Sequence, residues 1–417
     1  MITYKDLLSQ IENKENHLLL ANGFNYGLGI NTGYNAIFEK MIEDNSLYRD
    51  VRPLFIECGY DLEVFLGRLE SNIDNLFLRK YIRNNIKLDF MKATQEIVKS
   101  NIKNIYAEKN EGIFLLLKNF TNYFTLNYDP LIYILLLKYK PMNNKDSNAI
   151  AFEANIKFIE DDLNNTGSNI YSEIKEAREN GLLTLSLGNG SMAVEKPLDK
   201  LKKTHFTAEI KTYSDANNKH WKEKNIRRAV DKILEEEKNK FTLKILDDGS
   251  KQLSIFKDQK EFIFENRETQ NLFFLHGAFH IYKDGKFSKK ITQQSDKALY
   301  DKLEEVLNKD GQDIVCVFQN TNKMDVIKDS EYLQNCLNKL CELSGNMVII
   351  GSSLADNDNH IFSRINNSEI SKVYISALQK EEEHIQKKAE QIFPNKEICL
   401  FDAETISYEM PEEAEAN

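Results

Sequence analysis

The stretch Asn16–Phe38 reads NHLLLANGFNYGLGINTGYNAIF. Leu18, Leu19 and Leu20 form a short apolar run of the kind shown by a strand buried on both faces of a parallel sheet. Ala21-Asn22-Gly23-Phe24-Asn25 breaks the run, and Gly27, Gly29 and Gly33 follow. From Tyr34 the pattern becomes helical, with Tyr34, Ile37, Phe38 and Met41 at i, i+3, i+4 and i+7. Strand, glycine-rich turn, helix is the first unit of a dinucleotide-binding sheet. Its glycines let backbone amides approach a pyrophosphate, and the helix N-terminus turns partial positive charge towards it. The G-x-G-x-x-G spacing itself is absent, so the reading depends on what stands downstream.

The chain has 417 residues, 41% of them hydrophobic, which suffices for a large domain with insertions or for two to three domains. A net charge of −10 argues against a protein that mainly grips nucleic-acid phosphates. The first residues, MITYKDLLSQIENKENH, lack the apolar core of a signal peptide, and the longest apolar run, Leu131–Leu137, is too short to span a bilayer. Cys58, Cys316, Cys336, Cys341 and Cys399 form no C-x-x-C pair. The expectation is a cytoplasmic protein with no membrane association, no disulfide framework and no metal.

Residues 41–120 read as a helical insertion. Asp61 caps an amphipathic run with Leu62, Phe65, Leu66 and Leu69 on one face, and Phe77, Tyr81, Ile86, Phe90 and Ile97 continue the apolar periodicity. Tyr123-Phe124-Thr125-Leu126-Asn127-Tyr128-Asp129-Pro130 is an aromatic, β-branched strand ending in polar residues, with Pro130 opening the next helix. Residues 141–267 are polar, rich in Lys, Asn and Glu, and read as a mixed α/β insertion. A helix is expected over Asn225–Lys238, strands over Leu182–Leu187 and Phe241–Ile245, and a hairpin turn at Gly188-Asn189-Gly190-Ser191. Leu272–Leu275 is an apolar strand ending in His276-Gly277, and His280 beyond it reads as structural or surface. Asp313–Phe318 is another buried strand. Asn346–Ile350 empties into Gly351-Ser352-Ser353, whose small residues and hydroxyls suit a ribose or phosphate. Asp356, Asp358 and His360 have ligand chemistry but read as a loop and helix cap. The tail 403–417 is acidic and is expected to be disordered.

Four polar motifs thus close strands in order: Asn22-Gly23-Phe24-Asn25, Thr125–Asp129, His276-Gly277 and Gly351–Ser353. In order and type they resemble those of the sirtuins, and more closely those of the zinc-less sirtuin-like NAD-hydrolase family of bacterial antiphage defence. Ala21 to Asn25 match the first turn, with Gly29-Ile30 at the expected spacing. Ala21 stands where sirtuins have glycine, Asn25 where they have serine, and the zinc-binding cysteines of the deacylases are missing. The resemblance implies an α/β, Rossmann-like parallel sheet formed by residues 1–40, 121–140 and 268–402.

It also implies NAD+ as substrate and its hydrolysis to nicotinamide and ADP-ribose, as an abortive-infection effector. Asn127 would hold the ribose and the attacking water, and His276 would accept a proton. Ala21, Asn22, Gly23, Phe24, Asn25 and Ile30 would form the cradle for phosphates and ribose. Ser352 and Ser353, after Gly351, would take the adenosine side, and Asp129 would position the Asn127 loop. The resemblance leaves room for a phage-derived activator or partner defence protein and for a homo-oligomer that gates the pocket. Two other readings stay open: a sensor that binds NAD or ADP-ribose without turnover, and ADP-ribosyl transfer.

Overall fold

The computed structural model describes residues 1–108, 110–139, 168–179, 182–183, 198–219, 221–242, 246–256, 259–291, 299–317 and 323–408. The chain forms two compact units, one built from residues 1–138, 142–154 and 245–417 and the other from 139–141 and 155–244.

The larger unit is organised on a parallel sheet. Its strands are β1 (Asn16–Leu20), β2 (Asn122–Thr125), β5 (Leu272–Phe274), β9 (Ser344–Ile350), β10 (Glu369–Ala377) and β11 (Glu397–Asp402). Their spatial order is β5-β2-β1-β9-β10-β11, and every pairing is parallel. Numbered within the sheet this is 3-2-1-4-5-6, the order of a doubly wound dinucleotide-binding sheet. The chain moves outward from β1 on one side, then returns and moves outward on the other, so the order reverses between β1 and β9. The apolar runs explain the placement: Leu18, Leu19, Val348 and Ile349 at the sheet's centre are fully buried. The polar groups at the opposite end of β1 are paired. Asn16 donates to the carbonyls of Ile11, Lys14 and Asn119, and both ring nitrogens of His17 have partners.

Helices Tyr34–Asp44, Tyr48–Glu57, Leu62–Ser71, Leu76–Glu108 and Asn110–Leu117 connect β1 to β2. Asp61 caps the third of these through the Val64 N–H. Ile86 and Phe90 are buried, but Phe77 and Tyr81 are exposed and stack on each other, because the long helix starts ahead of the core it later covers.

On both sides of β5 the chain departs from the expected continuous core. Strands β3 (Ser250–Phe256), β4 (Gln259–Phe264), β6 (Gly277–Asp284), β7 (Phe287–Lys290) and β8 (Gln312–Cys316) make a separate sheet in the order β3-β4-β7-β6-β8. All its pairings are antiparallel. Residues 250–256 and 259–264, expected within the polar insertion, are bonded into this sheet and belong to the larger unit. The strand expected at 313–318 is β8, not a member of the parallel core.

The smaller unit contains helices Ser168–Glu179, Leu198–Ala216 and Glu223–Thr242. Ile174, Phe206, Ile210, Ile226 and Val230 form its core, with Tyr213 and Trp221 packed against it. Phe241 and Thr242, expected to open a strand, end the third helix instead. Leu182 and Leu183 are in no strand, and the glycine motif at 188–191 lies outside the described residues.

The expected disordered tail is ordered at its start. Ala403–Thr405 form a 3-10 turn held by the Asp402 carboxylate, and Tyr408 is buried with its ring edge-on to Phe24 at 5.9 Å. One aromatic with a pocket of its own fixes a segment whose composition is otherwise acidic. No helix among the described residues is long and apolar enough to cross a membrane.

Candidate active site

The carboxyl ends of β1, β2, β5 and β9 enclose a cleft of about 320 Å³ in the larger unit. Ligands of open α/β sheets bind at this end of the strands, at the point where strand order reverses. The lining includes Ala21 and Asn22 after β1, Leu126–Asp129 after β2, His276 after β5 and Gly351–Ser353 after β9. Thr32, Tyr34, Phe279, Lys323, Asn357 and Asp358 complete much of the wall.

The glycine turn is built differently from its sequence reading. A helix begins at once, Asn22–Gly27 with Ala21 as its cap, so Phe24 and Ile30 point into the core. The Gly23 N–H donates to the Gly351 carbonyl at 3.0 Å and is not turned to the cleft. A Cβ on Gly23 would lie 2.5 Å from the Gly351 Cα, and one on Gly351 would collide with the Phe24 amide nitrogen. Gly351 also has φ +75°, where L residues are strained. These two glycines let the turn after β1 pack against the end of β9, where Gly351 lines the cleft. The structure therefore gathers Ala21, Asn22, Asn127, Asp129, His276, Gly351, Ser352 and Ser353 at the cleft. It leaves Phe24, Asn25 and Ile30 buried behind its wall, and Gly23 is not among its lining residues.

Asn25 has a different place from the cradle expected of it. It is fully buried and links the first two motifs. Its Nδ2 donates to Asp129 Oδ2 at 3.0 Å and to Thr32 Oγ1 at 2.9 Å, and its Oδ1 accepts from Asn127 Nδ2 at 3.1 Å. Thr32 in turn donates to Asn22 Oδ1 at 2.5 Å. An ionised carboxylate only accepts, so Asp129 fixes which end of the Asn25 amide faces it. That choice makes Asn127 donate through Nδ2 and leaves its carbonyl oxygen for the cleft. Burial raises the Asp129 pKa, opposed by hydrogen bonds from the Leu131 N–H and Asn25.

His276 lies in the turn between β5 and β6. Gly277 follows at φ +78°, and a Cβ there would collide with the Val315 carbonyl in β8, so the turn requires glycine. The His276 carbonyl accepts from the Val317 N–H at 2.9 Å. The Leu126 backbone beside the ring favours its protonation. Nε2 is buried and has no hydrogen-bond partner among the described residues. A neutral imidazole keeps one nitrogen lone pair, and Nε2, without a hydrogen-bond partner, is placed to carry it. This is the opposite of His17, whose two nitrogens are both satisfied. Burial, chiefly, lowers the His276 pKa to about 3. Lys323 and His360 push it the same way, and Asp358 opposes them. Asp358 Oδ1 stands 3.5 Å from Nε2, but the neutral ring makes this an approach and not an ion pair.

Asp358 and Lys323 were not foreseen as site residues. Asp358 does not cap the helix Asn359–Asn366 with its side chain. Its carboxylate instead accepts from Lys323 Nζ at 3.2 Å, and the His360 ring stacks on His276 at 5.5 Å. Burial lowers the His360 pKa too. A carboxylate two residues before a histidine gave the only sequence signal, and Lys323 gave none. Among the described residues no group of three or more Asp, Glu, His or Cys is arranged to hold a metal ion.

Fold and site together define a Rossmann-like α/β protein with a polar cleft at the switch point of its parallel sheet. Residues 230–408, which carry His276 and Gly351–Ser353, match the model of a domain of unknown function, DUF4917. No curated protein matches the chain.

Proposed function

We propose that this cleft binds NAD+ and hydrolyses it to nicotinamide and ADP-ribose. The observation that carries the reading is the convergence of Asn127 and His276 on one cleft where the order of a 3-2-1-4-5-6 sheet reverses. Cleavage of the nicotinamide–ribose bond develops positive charge on the sugar. The leaving group is good, so the protein must chiefly orient the ribose and aim a water. The Asn127 carbonyl accepts from a ribose hydroxyl or from that water. A neutral His276 adds no charge to repel the developing cation, and its free Nε2 accepts the proton released by water or a ribose hydroxyl. Ser352 and Ser353 face the adenosine side. Asn25 and Asp129 hold the Asn127 amide in the accepting orientation rather than touching the substrate.

The role as an abortive-infection effector follows from the resemblance of the four motifs to those of the defence family. The test is Asn127→Ala in purified protein: it should lose NAD+ hydrolysis at least 100-fold while still unfolding cooperatively, with a loss of about 1–3 kcal/mol for the broken bond to Asn25. Retention of full activity would overturn the assignment. Label passing from NAD+ onto protein would favour ADP-ribosyl transfer, and stoichiometric recovery of bound, intact NAD+ would favour a sensor.

A further inference from the structure

His276 acting as a base acquires a buried positive charge, and its surroundings decide how that charge is met. A ring held neutral down to about pH 3 is a weak base at neutral pH, where a proton acceptor works best with a pKa near the ambient pH. The groups around it are few. Asp358 approaches from the 3-10 turn Asp356–Asp358, His360 from the helix after it, and Lys323 from the helix Lys323–Lys328. Tyr128 lies beside it after β2, with its hydroxyl donated to the Val317 carbonyl. Asp358 is the only carboxylate among them. It lies 3.5 Å from Nε2 and 3.2 Å from Lys323 Nζ. Both Lys323 and Asp358 line the cleft.

We propose that the Lys323–Asp358 ion pair is a latch on His276: an anionic group of the substrate draws the Lys323 ammonium away, and the released Asp358 carboxylate closes onto Nε2 as that nitrogen takes a proton. The inference rests on the reading of the cleft as an NAD+ site, whose diphosphate supplies the anion. The geometry suits it. A movement of about half an ångström brings Asp358 Oδ1 from 3.5 Å into hydrogen-bond range of Nε2. The buried side chain of Lys323 has a carboxylate as partner now and would exchange it for a phosphate, so it is never left as an unpaired buried cation. The imidazolium formed in the reaction then has an anion beside it, while the resting enzyme keeps its base uncharged. Asp358 and Lys323 are positioning residues; neither takes the proton.

The test follows the His276 ring directly by NMR titration of labelled histidine, with no turnover required. Its signal is assigned by its loss in His276→Asn. Lys323→Gln should raise the His276 pKa by on the order of one to two pH units, because the carboxylate is then uncompensated. Asp358→Asn should not raise it, and the double variant should follow Asp358→Asn. The signal of the buried His280, whose titration is set by burial, Lys290 and Asp248 and not by the latch residues, reports that each variant is folded. In the wild type, ADP-ribose should raise the His276 pKa, and in Asp358→Asn it should not. A Lys323→Gln titration unchanged within half a pH unit, or an equal rise in Asp358→Asn, would overturn the latch. If ADP-ribose binds, as shifts of other cleft signals report, but leaves the His276 pKa unchanged, the latch is overturned while the NAD+ reading stands; if ADP-ribose does not bind at all, the NAD+ reading is overturned with it.

Discussion

His280→Phe should make the protein less sensitive to acid. His280 lies in β6, 1% exposed, with its ring stacked on Tyr133 at 5.7 Å and edge-on to Phe274 at 5.0 Å. Neither ring nitrogen has a hydrogen-bond partner among the described residues. Beside it, Lys290 Nζ donates to the Tyr133 hydroxyl at 2.7 Å and to Asp248 at 2.6 Å. Burial first, and Lys290 second, lower the His280 pKa to about 3, with Asp248 opposing them. The unfolded chain takes the same proton near pH 6.5. Above that pH the residue makes no pH-dependent contribution. As pH falls from about 6.5 towards 3, the unfolded state gains a proton that the folded state refuses, and stability drops. At pH 5 the drop is about 2 kcal/mol, from about 1.36 kcal/mol per pH unit. His276, with the same lowered pKa, adds a similar amount. The variant removes the His280 share, so its loss of stability between pH 7.5 and pH 5 should be about 2 kcal/mol smaller than in the wild type. The phenyl ring keeps the aromatic contacts. Its effect at pH 7.5 combines relief of two unpaired nitrogens with added bulk, each about 1–3 kcal/mol and opposite in sign. The difference between the two pH values cancels that balance. Urea unfolding followed by circular dichroism at both pH values gives it. A variant whose acid sensitivity stays within about 0.5 kcal/mol of the wild type would refute the reasoning.

Asn25→Ala should cost about 3–6 kcal/mol by urea unfolding at pH 7.5, since it removes two neutral hydrogen bonds and one to a carboxylate in a dry site. A cost below about 1 kcal/mol would mean that the Asn127–Asn25–Asp129 chain is not what holds the two motifs together. Gly351→Ala, at φ +75° and against the Phe24 backbone, should lower the yield of folded protein or its stability by more than about 3 kcal/mol. Gly311→Ala, at φ +80° with nothing within 4 Å, should cost only about 1–2 kcal/mol on the same assay. Tyr408→Ala should lose about 3–5 kcal/mol as a buried ring removed from beside Phe24, and limited proteolysis should then cut near residue 403.

Much of the parallel sheet is legible in the sequence because a strand buried on both faces is a plain apolar run, and Leu18–Leu20 and Met347–Ile350 are such runs. Orientation is not legible in that way. The run Asp313–Phe318 looks the same whether its neighbours are parallel or antiparallel, and so the second sheet was hidden until its partners in β6 were seen. In the turn after β1 the glycines were visible but their use was not. Gly23 reads as a phosphate-facing amide, yet only the contact with Gly351, far along the chain, reveals a packing glycine. The position of Asn127 and His276 at the cleft is legible because each follows the end of a strand. Asp358 was hidden in a loop whose carboxylates read as helix caps, and Lys323 because its position gains meaning only from the carboxylate across the cleft. Tyr408 was masked by its acidic neighbours, although one aromatic in such a segment is the kind of residue that anchors it.

The most direct measurement of the central claim is incubation of NAD+ with the wild-type protein and with His276→Ala, following nicotinamide and ADP-ribose by chromatography, both purified and in lysate from phage-infected cells. The account predicts equimolar nicotinamide and ADP-ribose from the wild type and intact NAD+ with the variant. NAD+ recovered intact from the wild type in both settings, or equal turnover by His276→Ala, would contradict it.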